Sequence, residues 1–184
     1  MPNLNRFISA QQGHASFPSY EKAYNEIEQG KKQDHWIWYI FPQLKTLGYS
    51  GTAKHFGIAD FKEACDYLQN ETLFKNYCAI AQLVMNQLDT IPVNTLMGGG
   101  IDASKLTSSI TLFRAAASFL AQQNTASNDY AKVVRCCDQI FTKIKPQGYS
   151  PCQKTLVLIA PFITAEVNQP TTEINQPEAP RRVI

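Results

Sequence analysis

The stretch HWIWYIFPQL, His35 to Leu44, crowds Trp36, Trp38, Tyr39 and Phe41 beside a histidine, a proline and a glutamine. Each large ring withdrawn from water contributes about 1.5–3 kcal/mol, so a run this dense belongs in a core or a pocket wall, not on a solvated surface. Trp and Tyr also carry a polar tip that needs a partner when buried, so the segment orders a polar network along with the apolar one. That localises a site without naming its chemistry.

Outward from this segment the periodicity is helical. Tyr20, Ala23, Tyr24 and Ile27 recur at helix spacing, with Ser19 as N-cap and Gly30 where the residue after the C-cap belongs. Asp60 and Glu63 form a D-x-x-E capping arrangement ahead of Phe61, Ala64, Cys65 and Leu68. Asn70 opens a longer helix through Leu73, Tyr77, Ile80, Ala81, Val84 and Leu88, which Pro92 closes. After the glycines at 98–100, a helix turns Leu106, Ile110, Phe113, Ala117 and Leu120 inward; another, from near Asn128, buries Tyr130, Val133, Val134, Cys137, Ile140 and Phe141. Thr155 to Ala160 is ambiguous between buried strand and helix, and Ser150 with Pro151 favours a helix start. Alternating strand patterns are nearly absent. The expected fold is all-α, a single compact multi-helix domain over residues 3–163.

From 164 to 184 the composition shifts to Asn, Gln, Thr, Glu and Pro, with EVNQP at Glu166 echoed by EINQP at Glu173. Such a segment has too little apolar surface to offset its ordering entropy, so a disordered polar tail is expected. Arg181, Arg182, Val183 and Ile184 could serve as a carboxylate-bearing tip through which a protein partner binds.

Composition narrows the function classes. The chain has 184 residues, 44% of them hydrophobic, enough for one core. The net charge of +2, from 17 basic and 15 acidic residues, makes no field strong enough to favour nucleic acid. Cys65, Cys78, Cys136, Cys137 and Cys152 form no C-x-x-C pair, and the start lacks a basic-then-apolar leader, so reduced thiols and a cytoplasmic location are expected. His14, His35 and His55 lack zinc-site spacing, so no metal is expected, and nothing calls for a cofactor. No apolar run reaches the ~18 residues of a membrane span.

The second unusual stretch is GGGIDASKLTSSITLF, Gly98 to Phe113. Glycines let a backbone approach a ligand, and a helix start presents unpaired N–H groups, here with Lys105 close by; that combination suits an anion. It is not a Walker A loop, because Ser104 stands where that motif needs glycine. The plain alternative is a flexible turn with Asp102 capping a helix, and Thr107, Ser108, Ser109 and Thr111 satisfying nearby carbonyls. His35 is a candidate general acid or base with a pKa near the working pH, or else a structural hydrogen-bonding residue. The S-x-x-K of Ser19 to Lys22 lacks its companion motifs and is coincidence. Cys136 and Cys137 have no evident base beside them, which disfavours a nucleophilic role.

Taken together, these blocks resemble a bacterial family, the domain of unknown function numbered 1810. The resemblance rests on NLNRFISAQ at Asn3 to Gln11, the Y-x-x-A-x-x-E-I-x-x-G-K-K run from Tyr20, HWIWYIFPQL, LGYS at Leu47 to Ser50 with Ala53, EACDYL at Glu63 to Leu68, and DASKLTSSITLF from Asp102. It implies a compact all-α domain and no established activity. The polar positions that match the family pattern are Gln11, His35, Trp36, Gln43, Ser50, Asp102, Lys105, Ser108, Ser109 and Thr111. The chain departs from it at GYSPCQKTL from Gly148, where the family tends to an acidic loop, and at the glycines 98–100, which replace a more apolar stretch. Members are often labelled calpastatin, a name for inhibitors that act as extended disordered segments; 11% aromatic residues at helical spacing describe a folded core instead.

Two function classes follow. In the first, a small anionic or nucleotide-like ligand sits between His35 to Gln43 and the Asp102 to Ser109 helix start. Lys105 would meet the anion, Trp36 a planar group, Gln43, Asp102, Ser108 and Ser109 would complete the contacts, and His35 would act as acid or base. In the second, the domain is a helical protein-interaction module without catalytic activity. The discriminating observation is whether these residues converge on one reachable surface.

Overall fold

A computed structural model describes residues 4–123 and 129–167, with side chains described to 163; of the expected tail, residues 164–167 continue the last helix, while 168–184, like Asn128, lie outside this range. The described chain is helical, without a strand: the one ladder contact is an isolated bridge between Leu44 and Ile58. None of its helices is long and apolar enough to cross a membrane.

In order, α1 is Asn5–Gln11, α2 Tyr20–Glu28, α3 Ile37–Ile40, α4 Gly51–Phe56, α5 Phe61–Gln69, α6 Glu71–Gln87, α7 Val93–Leu96, α8 Gly100–Gln122, α9 Tyr130–Ile144 and α10 Gln153–Val167. Their boundaries follow local chemistry. Ser19 caps α2 by accepting the Lys22 N–H at 3.2 Å. The same helix ends in a Schellman turn, in which Gly30, at φ +84°, and Lys31 return their N–H groups to Ile27 and Glu26. Asp60 caps α5 through the Glu63 N–H at 2.8 Å, but Glu63 does not close the box on Asp60. Its carboxylate takes the Ala59 N–H at 2.7 Å and the Arg6 guanidinium at 2.8 Å, which ties α1 to α5. Asn70 caps α6 through Leu73 while also ending α5.

Three boundaries differ from the sequence reading. Pro92 does not end α6, whose last residue is Gln87; it precedes α7, where a residue with no N–H is harmless. Asp129 caps α9. Beyond Ser150 and Pro151, α10 begins only at Gln153.

Helix α8 is the axis of the domain. It spans 23 residues, packs against α5, α9 and α10, and is buried almost all round, which explains why its apolar residues do not form a single stripe. The HWIWYIFPQL segment crosses beside it. Trp36, Ile37, Tyr39, Ile40 and Phe41 are buried and Trp38 is half-buried. Tyr39 packs on Phe17 and Phe56, and Phe41 on Tyr77, which stacks in turn against Phe113 of α8. Gln11, 6% exposed, stitches this cluster together: it donates to the Tyr39 carbonyl and the Tyr67 hydroxyl and accepts from Asn76.

Candidate functional site at the start of α8

Charged groups rarely enter a core unless paired, so the two that do beside Trp36 define this region. Glu26, 5% exposed, turns one carboxylate oxygen onto the N–H groups of Gln33 and Asp34, at 2.8 and 3.0 Å, and onto the indole N–H of Trp36, at 2.7 Å. Lys32, also 5% exposed, donates to the Asp34 carbonyl at 2.6 Å and pairs with Asp102 at 2.6 Å, its ammonium 5.1 Å from the Trp36 ring. The loop of residues 29–36 is thus wound around two buried charges.

Asp102 joins this loop to α8. Its second oxygen pairs with Lys105 at 2.8 Å, and the Lys105 ammonium lies 3.5 Å from the centroid of the Trp38 ring. Burial raises the Asp102 pKa, but the hydrogen bonds and charges of Lys105 and Lys32 outweigh it and hold the carboxyl below its usual value. Two lysines share the Asp102 carboxylate, and with Glu26 the four charges of the cluster balance. The cluster stands at the first turn of α8, where Gly99 is the N-cap and no side chain caps the helix. The positive end of the macrodipole adds to the lysines. Gly98 lets the loop close: at φ +73°, a Cβ there would come within 2.8 Å of the Lys32 carbonyl oxygen, while the Lys32 N–H donates to Leu96. On the other flank of the same helix start, Tyr149 donates to the Asn94 side chain beside Gly100.

The residues singled out from sequence take different places around this cluster. Asp102, Lys105 and Trp36 meet within it, Trp36 through Lys32. Asp102 does not cap α8; as a first-turn residue inside the helix it pairs with the lysines instead. His35 is exposed, near Asp34, and its imidazole has no hydrogen-bond partner among the described residues. Gln43 is half-buried and its carbonyl accepts the Ile58 N–H. Ser108 donates to the Ser104 carbonyl one turn back, as Thr107 and Thr111 do to theirs, and fully buried Ser109 meets the Tyr77 hydroxyl in the core. Sequence reading passed over Glu26 and Lys32, and took Trp38 only as one ring of the aromatic stretch. The first two stand in the Y-x-x-A-x-x-E-I-x-x-G-K-K run, whose charges invite a surface placement.

The description "Protein of unknown function (DUF1810)" belongs to a family model that matches residues 1–146. The chain belongs to this family. The Mycobacterium tuberculosis conserved hypothetical protein Rv1873, known from a crystal structure, is similar to this DUF1810 chain at 28% identity with a TM-score of 0.64, covering 86% of this chain and 96% of its own. No curated protein matches. The α8 cluster, with Glu26, Lys32, Trp36, Trp38, Asp102 and Lys105, falls inside the part matched by the DUF1810 model, whereas α10 falls outside it.

Proposed function

We propose that this domain binds a small anionic ligand, a phosphate-bearing or nucleotide-like molecule, at the start of α8. The observation that carries the reading is the Lys105 ammonium held 3.5 Å over Trp38 by Asp102, at the uncapped positive end of a 23-residue helix. Lys105, its side chain 17% exposed, would meet the anion together with the first N–H groups of α8; the half-buried Trp38 ring offers a face to a planar group. Lys32 and Asp102 hold this arrangement in place, and the exposed His35, next to Trp36 in the chain, would be the proton donor or acceptor. Five free cysteines suit a cytoplasmic setting. Isothermal titration with inorganic phosphate, pyrophosphate and nucleotides tests the reading. Saturable binding that is lost in Lys105→Gln supports it, and no heat from any of these probes removes it.

A second reading, a protein-interaction module, is favoured by one feature. Helix α10 presents Leu156, Val157, Leu158 and Phe162 to solvent, with Val157 71% exposed. Sedimentation that stays monomeric at high concentration and is unchanged by Val157→Ser would speak against pairing of two copies through this face.

A further inference from the structure

Helix α10 rests on the domain through a narrow stripe. Thr155 is 0% exposed, Ile159 1%, and half-buried Ile163 continues the line, each one turn after the last. The residues between them turn outward: Leu156 is 37% exposed, Leu158 39%, Phe162 48% and Val157 71%. From Thr155 to Ile163 the chain carries no charged side chain. A helix at a protein surface ordinarily shows polar residues to water, and one that is apolar all round is covered on every side. The outer face of α10 fits neither case.

One flank of the helix borders a hollow. Leu156 and Pro151 line a cleft of about 310 Å³ with Ala115 of α8 and Phe141 of α9, and the Arg114 and Asp138 ion pair stands on its wall. A second hollow of about 280 Å³ shares Phe141 and Pro151 with it and extends to Tyr149. At about 100° per residue, Val157 stands at the crest of α10, and Leu158 and Phe162 lie on the flank away from Leu156. The helix therefore has apolar projections on one side and an apolar recess on the other.

Building on the interaction-module reading, we propose that the outer face of α10 is the contact between two copies of this chain. A twofold axis running along α10 turns the Leu158 and Phe162 flank of each copy onto the cleft of the other, so one surface supplies both halves of the contact. The face has no charge, and Arg114 and Asp138 beside it neutralise each other, so meeting its own copy brings no like charges together. The four outward side chains offer on the order of 400 Å² of apolar surface per copy, and the cleft walls bring this toward the roughly 500 Å² per partner of a small stable interface. The rest of the chain offers little to cover the face instead. Residues 124–128 include no large apolar side chain, and 168–184 hold only Ile174, Val183 and Ile184 besides prolines and one alanine.

The test is sedimentation velocity on the full chain over a range of concentrations, paired with the binding of a fluorescent dye that brightens on exposed apolar surface. The wild-type chain should pass from monomer to dimer with Kd at or below about 100 µM. Val157→Asp and Phe162→Asp, both at exposed positions, should each weaken the dimer at least about tenfold with helical circular dichroism unchanged, since each sets an unpaired charge in the contact. A wild-type chain that stays monomeric well above that concentration overturns the proposal, as does a dimer that both variants leave intact. For a monomer, the dye separates this failure from that of the broader reading. Dye bound by the wild type and lost in Val157→Asp leaves α10 as a docking face for a different protein, whereas no bound dye removes the interaction module as well.

Discussion

Trp36 and Trp38 are two residues apart, and their surroundings differ in kind. Positions i and i+2 on a helix face about 200° apart, so one ring enters the core while the other turns toward α8 and solvent. Trp36 is 0% exposed, its N–H is taken by Glu26, and the charges around it are satisfied within the protein, Glu26 by the loop N–H groups and Lys32 by Asp102. Trp38 is half-buried, and a lysine on its face can still reach solvent. The same short segment therefore supplies a structural ring and a ring available for recognition. Density of aromatic residues in a sequence does not separate the two; the partner of each ring does.

The contrast is sharpened first by stability. Trp36→Ala should cost about 3–5 kcal/mol, the range for a large ring removed from a core, measured by denaturant unfolding. Trp38→Ala should cost less than half of that, and equal losses would break the distinction. Asp102→Asn comes next, at about 2–3 kcal/mol, because it leaves Lys32 buried beside a neutral amide while Asp102 itself keeps some contact with water.

The pH dependence follows from the same carboxylate. The folded Asp102 pKa lies below 3.8, so its pairing contributes fully above that value and is lost as pH falls through the lowered folded value. Acid unfolding followed from pH 7 downward should show Asp102→Asn losing part of the wild-type acid sensitivity; identical profiles would mean that the pair contributes nothing. Lys105→Gln should have the smallest effect on stability, within about 1 kcal/mol, since its ammonium is partly solvated and Lys32 remains on Asp102.

Much of the fold was legible because it is local. Ser19, Asp60 and Asn70 cap the helices that their sequences mark, since a cap needs only a side-chain oxygen and an N–H three residues on. Helix α10 was ambiguous because its buried stripe is narrow: Thr155 and Ile159 point inward one turn apart, while the apolar residues between them face out. The site was less legible. Asp102 reads as a cap only if the helix starts at its position, but Gly99 is the N-cap and the helix begins at Gly100. The ion pair that occupies Asp102 instead depends on Lys32, brought close by the turn at Gly30 and the approach of Gly98 to the Lys32 carbonyl. Such pairings are set by tertiary packing, and no spacing in the chain announces them.

The most direct test of the anion site is tryptophan fluorescence under titration with pyrophosphate, which does not absorb where indole emits. Binding beside Lys105 would change the charge above Trp38 and leave Trp36 sealed, so a Trp36→Phe chain, once shown to fold, should give a saturable emission change with Kd at or below about 1 mM, an affinity of about 4 kcal/mol. The change should vanish in Trp36→Phe with Lys105→Gln. A flat titration into the millimolar range, or an equal response in the Lys105→Gln chain, would contradict the assignment of the start of α8 as the ligand site.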